Sequence, residues 1–160
     1  MAFLIFKGVK TIKNNLFTNI MGNSQTIRRI NFEDMQTAIK NPELYLIVNT
    51  LPYDEQKCLI INTISVTQEE DIINKHMKLH NMDIRIIIYG KNCNDELVNH
   101  KYKQFLSLGF YNIYIFSGGL FEWLMLQDIY GTDIFLTTQK EHDLLKFKPR
   151  SMLNIALIEN

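Results

Sequence analysis

The chain of 160 residues is short of almost everything that would mark a special class of protein. It has two cysteines, Cys58 and Cys93, which excludes a disulfide framework. None is needed, because a chain of this length buries roughly 70% of its unfolded surface on folding. No cleavable signal peptide is evident, so both thiols are expected to be reduced in a cytoplasmic compartment. Net charge is absent too: 17 Lys plus Arg face 17 Asp plus Glu. That excludes a nucleic-acid binder working through a global basic field, and no nucleic-acid partner is expected. Charges break every long apolar run, so no segment reads as a transmembrane helix. There is no repeat, low-complexity stretch or linker. What is present is 46% hydrophobic residues, which excludes a disordered chain. At ~100–200 residues per domain the length is that of one domain. Alanine is scarce while Ile and Asn are common, the mark of an AT-rich genome such as those of many protists and large DNA viruses.

The neutrality is partitioned. Ile5, Val9, Ile12, Leu16 and Ile20 share one face at helical spacing. Lys7 and Lys10 lie opposite, Lys13 sits on the flank, and no acid precedes Glu33. Residues 1–25 therefore read as a basic amphipathic helical extension on a correspondingly acidic remainder. Such a face either docks on the domain or lies on a membrane surface, with contact through residues 1–20. The second option makes a membrane-peripheral location the alternative to a cytoplasmic one. Met21-Gly22-Asn23-Ser24-Gln25-Thr26 fits a myristoylation pattern only if translation starts at Met21.

From residue 26 the sequence alternates strand and helix. Thr26 to Ile30 is a short strand. Asn31 caps a helix over Phe32 to Lys40 that Asn41-Pro42 ends. Leu44 to Val48 is an apolar run, as a strand covered on both faces requires. Cys58 to Ile61 is a second such run. Thr67 and Glu70 form a capping box for a helix reaching about His80. Ile84 to Tyr89 is a third buried strand. A helix over Asp95 to Leu108 stops at Gly109. Asn112 to Phe116 is the next strand, and Gly118-Gly119 opens a helix over Leu120 to Ile129. This rhythm predicts an α/β fold: a three-layer sandwich around a central, mostly parallel, five-stranded sheet. Residues 26–131 form the domain, and residues 132–160 a C-terminal extension packed on it. In that tail Thr138 and Glu141 predict a capped short helix ended by Pro149, and Ile155 to Ile158 is apolar again.

In an open α/β sheet, ligands bind at the carboxyl ends of the strands. The loop after Tyr89 is Gly90-Lys91-Asn92-Cys93-Asn94, leading into a helix. A cysteine before a helix gains thiolate character from the dipole and from loop N–H groups, and Lys91 adds positive charge. Asp95 and Glu96 work against it. Cys58, in an apolar strand, reads as structural.

Several stretches together resemble a rhodanese-like domain. They are Ile86-Ile87-Ile88-Tyr89 with its cysteine-bearing loop, the helix ending Leu108-Gly109-Phe110, and Asn112-Ile113-Tyr114-Ile115-Phe116-Ser117-Gly118-Gly119-Leu120-Phe121-Glu122-Trp123. Gly-Gly with Trp four positions after the second Gly is the most recognisable part. Ile30-Asn31-Phe32-Glu33-Asp34-Met35 and Leu46-Ile47-Val48-Asn49 are similar to the family's opening. The resemblance covers about residues 26–130. Tyr89 to Glu96 and Glu122 to Gly131 are similar to a subgroup found in giant viruses and protists, which would put the protein in host cytoplasm or a virion.

The resemblance implies sulfur transfer. Cys93 would carry sulfane sulfur as a persulfide from a small donor to a thiol or other nucleophilic acceptor. Gly90, Lys91, Asn92, Asn94 and Asp95 would form the substrate-binding loop, their N–H groups holding the sulfur and Lys91 attracting the donor. No metal or organic cofactor is implied. The sequence departs from the family's pattern in three places. Gly90 stands where the family's cysteine directly follows the strand's Tyr. Asn49-Thr50-Leu51 replaces Asp-x-Arg, and Lys91 is the only loop cation. The alternative is a catalytically inactive rhodanese-like protein-binding module with a protein partner, tethered to a membrane by its N-terminal helix. A third reading makes Cys93 an oxidant-sensing thiol.

Other signals read more simply. His76 and His80 share a helix face at zinc-pair spacing, but no third ligand is evident. Gly118-Gly119 reads as a tight turn rather than an anion site. In the related phosphatase branch an Arg follows the cysteine by about six residues. Asn99 stands there, leaving nothing to grip phosphate bidentately. Trp123 and the other aromatics read as core.

Overall fold

The computed structural model describes residues 26–152. The amphipathic segment 1–20, the Met21 motif up to Gln25 and the apolar run Ile155 to Ile158 lie outside them.

Four strands form one parallel sheet in the order β1-β4-β3-β2: β1 (Arg28–Ile30), β2 (Tyr45–Asn49), β3 (Arg85–Tyr89) and β4 (Ile113–Phe116). The helices are α1 (Phe32–Lys40), α2 (Val66–Lys78), α3 (Leu97–Ser107) and α4 (Gly119–Tyr130). Strand alternation divides the core in two. Ile47, Ile87, Tyr89 and Phe116 face α1, α4 and the tail, packing with Met35, Ala38, Leu120 and Trp123. Val48, Ile86, Ile88, Ile113 and Ile115 face α2 and α3, packing with Ile73, Val98, Tyr102 and Phe105. Both faces are covered, which is why the central strands read as unbroken apolar runs.

The expected fifth strand is corrected: among the described residues the sheet has four. Cys58, Leu59 and Ile60 are buried as expected, but the chain turns before it can form a ladder. Asn62 takes a left-handed φ of 63°, and Thr63 N–H closes back on Ile60 O at 3.2 Å. Only an isolated parallel bridge, Ile47 to Thr63, reaches β2. The apolar run pairs with the tail instead. Ile61 N–H donates to Leu136 O at 3.2 Å, and Thr138 N–H to Leu59 O at 2.8 Å.

Local caps follow the same logic. Asn31 and Asp34 make a reciprocal capping box on α1. On α2 the cap is Ser65, whose hydroxyl accepts from Thr67 N–H, rather than the Thr67 and Glu70 pair. Thr138 is likewise drawn into pairing with Leu59, so among the described residues the tail has no capped α-helix. Glu141 accepts from His142 and Asp143 N–H at 3.0 Å each and pairs with Lys146, and a 3-10 helix, Leu144–Phe147, follows. Phe135 and Phe147 are buried in the α1/α4 core, and Trp123 Nε1–H donates to Leu136 O at 3.2 Å. Among the described residues no helix is long and apolar enough to cross a membrane.

Candidate functional site

The carboxyl ends of β3 and β4 define the site. The chain leaves β3 toward α3 on one face of the sheet and leaves β4 toward α4 on the other. The two loops diverge there and leave a crevice, the usual place for a ligand in such sheets. They are also stitched together: Leu120 N–H donates to Gly90 O and Phe121 N–H to Lys91 O, both at 2.9 Å. Gly119 makes this approach possible. Its φ is +63°, and a Cβ there would stand 2.5 Å from Gly90 O. The glycine pair therefore works as a close-packed turn.

Loop residues 90–95 are held by their own polar groups. Asp95 Oδ2 accepts from Lys91 N–H at 3.0 Å and from the Thr50 hydroxyl at 3.1 Å. Asp95 Oδ1 accepts from Leu97 N–H at 3.0 Å. These bonds keep Asp95 out of the helix, so α3 begins at Leu97, two residues later than the apolar period suggests. Asn92 is the second anchor. Its Oδ1 accepts from Asn94 N–H at 3.0 Å, and its Nδ2 donates to Phe147 O in the tail at 2.7 Å.

Gly90, Lys91, Asn92, Cys93, Asn94 and Asp95 are thus gathered into one loop, with differing roles. Cys93 is exposed, its Sγ 3.6 Å from Asn94 Oδ1. Lys91 is engaged: its Nζ lies 2.7 and 2.6 Å from the two carboxylate oxygens of Glu55. The N–H groups of Lys91, Asn94 and Asp95 donate to Asp95 Oδ2, Asn92 Oδ1 and Asn92 O.

Sequence reasoning missed three contributors. Thr50, at the end of β2, reaches the loop because β2 and β3 pair in register, Asn49 opposite Tyr89. Arg29 lines a small polar cleft of about 50 Å³ with Asn92, Cys93, Asp95, Asn99 and Ser117. It donates to Ser117 Oγ at 2.8 Å. Among the described residues it has no carboxylate within ion-pair distance. The signal for Arg29 was weak, because nothing local says that β1 lies beside β4. Phe147 could not be foreseen, since the tail's path depends on tertiary packing.

Cys58 is buried, and its Sγ–H donates to Gln139 O at 3.1 Å. Burial pushes its thiol pKa up. Burial also lowers the pKa of His76, with Lys75 adding to the effect. Among the described residues no three His, Cys, Asp or Glu side chains come together to hold a metal.

The class defined by these features is α/β, with a parallel sheet covered by helices on both faces. The fold is similar to that of the BH2092 protein of Bacillus halodurans, with 20% identity and a TM-score of 0.50 over 61% of this chain and 72% of that one. It is also similar to the single-domain sulfurtransferase RDL2 of Saccharomyces cerevisiae, at 16% identity and a TM-score of 0.49 over 68% and 97% of the two chains. The rhodanese-like domain of the Anabaena Alr3790 protein matches at 16% identity and a TM-score of 0.48, over 82% and 92%. At these identities the likeness is one of fold. No family model matches the chain, and no curated protein matches it.

Proposed function

We propose that the chain is a rhodanese-like sulfurtransferase in which Cys93 is the sulfur carrier. The observation that carries this reading is the position of Cys93. Its exposed thiol lies on the loop after the central strand β3, beside a polar cleft that also holds Arg29. A thiolate there attacks the outer sulfur of thiosulfate. A new S–S bond forms to Cys93, the donor's S–S bond breaks, and sulfite leaves with the electron pair. A nucleophilic acceptor, cyanide in the assay or a thiol, then takes the outer sulfur and restores the thiolate. Arg29 supplies the positive charge that attracts the anionic donor, since Lys91 is neutralised by Glu55. The test is thiosulfate-to-cyanide transfer by the full chain. Activity that disappears in Cys93→Ser and weakens in Arg29→Gln agrees with the reading, and activity unchanged in Cys93→Ser overturns it.

A second reading, a non-catalytic rhodanese-like module, draws on a different observation: the interior of the loop is filled by Asp95. It predicts no transfer from any donor, with the fold intact in both cysteine variants.

A further inference from the structure

The donors inside the loop converge on one point. Lys91 N–H, the Thr50 hydroxyl and Leu97 N–H come from three parts of the chain and meet at the two oxygens of Asp95, at 3.0, 3.1 and 3.0 Å. The bond from Leu97 is an ordinary local Asx turn just before the helix. The other two are not: Thr50 lies at the end of a neighbouring strand, and Lys91 lies four residues upstream in the loop. Three donors on one small anionic group is the arrangement by which a protein holds an oxyanion. Gly90 provides the room. A Cβ there would stand 2.2 Å from Asp95 Oδ2 and 2.8 Å from Val98 Cγ2, well inside contact distance. The carboxylate and the missing side chain are therefore fitted to each other.

We infer that Asp95 is a built-in occupant of an oxyanion cradle, its carboxylate filling the place an external sulfate-like or thiosulfate-like anion would take. The consequence is a loop closed from within. Any anion that reaches this end of the sheet meets the outer cleft of Arg29 and Cys93 and not the interior of the loop. The inference does not depend on Cys93 carrying sulfur, because it concerns which groups fill the loop and not what the thiol does.

Two measurements test it on the full chain. The first is the unfolding midpoint of Gly90→Ala, made alone and in an Asp95→Gly background. Alone the substitution lowers the midpoint. Without the carboxylate its effect falls by at least half, the remainder being the contact with Val98. An equal effect in both backgrounds overturns the inference. The second is a sulfate titration at constant ionic strength, followed by the backbone amide resonances of Lys91 and Leu97. Asp95→Gly gains saturable shifts, while the unsubstituted chain shows none at tenfold higher sulfate. Saturable shifts in the unsubstituted chain, or none in the variant, overturn it. Asp95→Ser, which retains a side-chain oxygen for the Leu97 N–H, stands in if Asp95→Gly does not fold. Unfolding of both also overturns the inference, since the cradle would then not exist apart from its occupant.

Discussion

Leu120 N–H donates to Gly90 O at 2.9 Å, so the turn that starts α4 is tied directly to the loop that carries Cys93. The glycine before Leu120 makes that contact possible. Gly119→Ala places a side chain at φ +63° and a Cβ 2.5 Å from Gly90 O. Backbone strain alone costs about 1–3 kcal/mol, and the displaced loop adds to it. Urea unfolding is expected to show a loss in this range or larger. A loss under a few tenths of a kcal/mol would mean that the two loops are not packed as described.

Tyr89 ties β3 to the irregular segment that stands where a fifth strand was expected. Its buried hydroxyl accepts from Ile60 N–H at 3.2 Å and lies 2.9 Å from Thr63 Oγ1. Burial drives its pKa far above the ordinary tyrosine value, so it stays a neutral phenol. Tyr89→Phe leaves the buried Ile60 N–H without its partner, at a cost of about 1–3 kcal/mol. Denaturant unfolding checks the size. Hydrogen exchange checks the place, with faster exchange expected at Ile60.

The two thiols differ in environment and should differ in rate. Cys93 is exposed, while Cys58 is buried with its pKa raised by desolvation. Titration of the native chain with a thiol-reactive disulfide is expected to consume one thiol quickly and the second only as the chain unfolds. The fast phase should be absent from Cys93→Ser. Two fast phases would place Cys58 at the surface.

Glu122 sits half-buried in the first turn of α4, and burial raises its pKa above the ordinary value of 4.5. A carboxyl raised in the folded state costs no stability at a pH where both states are protonated. The cost appears as pH rises through the ordinary value and is complete above the folded value. Glu122→Gln should therefore stabilise the chain at neutral pH, with the gain shrinking as pH falls through the raised folded value and gone below the ordinary value of 4.5. Thermal unfolding across that range checks the sign. A variant less stable than the parent at neutral pH would contradict it.

Much of the architecture was legible because both faces of the sheet are covered. Covered strands must be apolar throughout, so β2, β3 and β4 announced themselves within a residue or two. Asn31 did the same for α1 as its N-cap. The run Cys58 to Ile61 misled for the same reason. Burial reads identically in a strand and in an irregular segment, and only the left-handed turn at Asn62 separates them. At the site, the loop and its cysteine were visible in sequence because they follow a strand and precede a helix. The partners were not. Thr50, Arg29 and Phe147 arrive through strand register, strand order and the path of the tail, which are properties of the assembled fold. Lys91 shows the converse. Its charge was legible, but its pairing with Glu55 was not.

The most direct test of the account is the mass of the intact, unreduced chain after incubation with a sulfane sulfur donor and removal of the excess. A sulfur carrier gains the mass of one sulfur atom, on the peptide holding Cys93. The gain persists in Cys58→Ala and is abolished in Cys93→Ser. No added sulfur with thiosulfate or with an organic persulfide donor, or sulfur found on Cys58, would contradict the account.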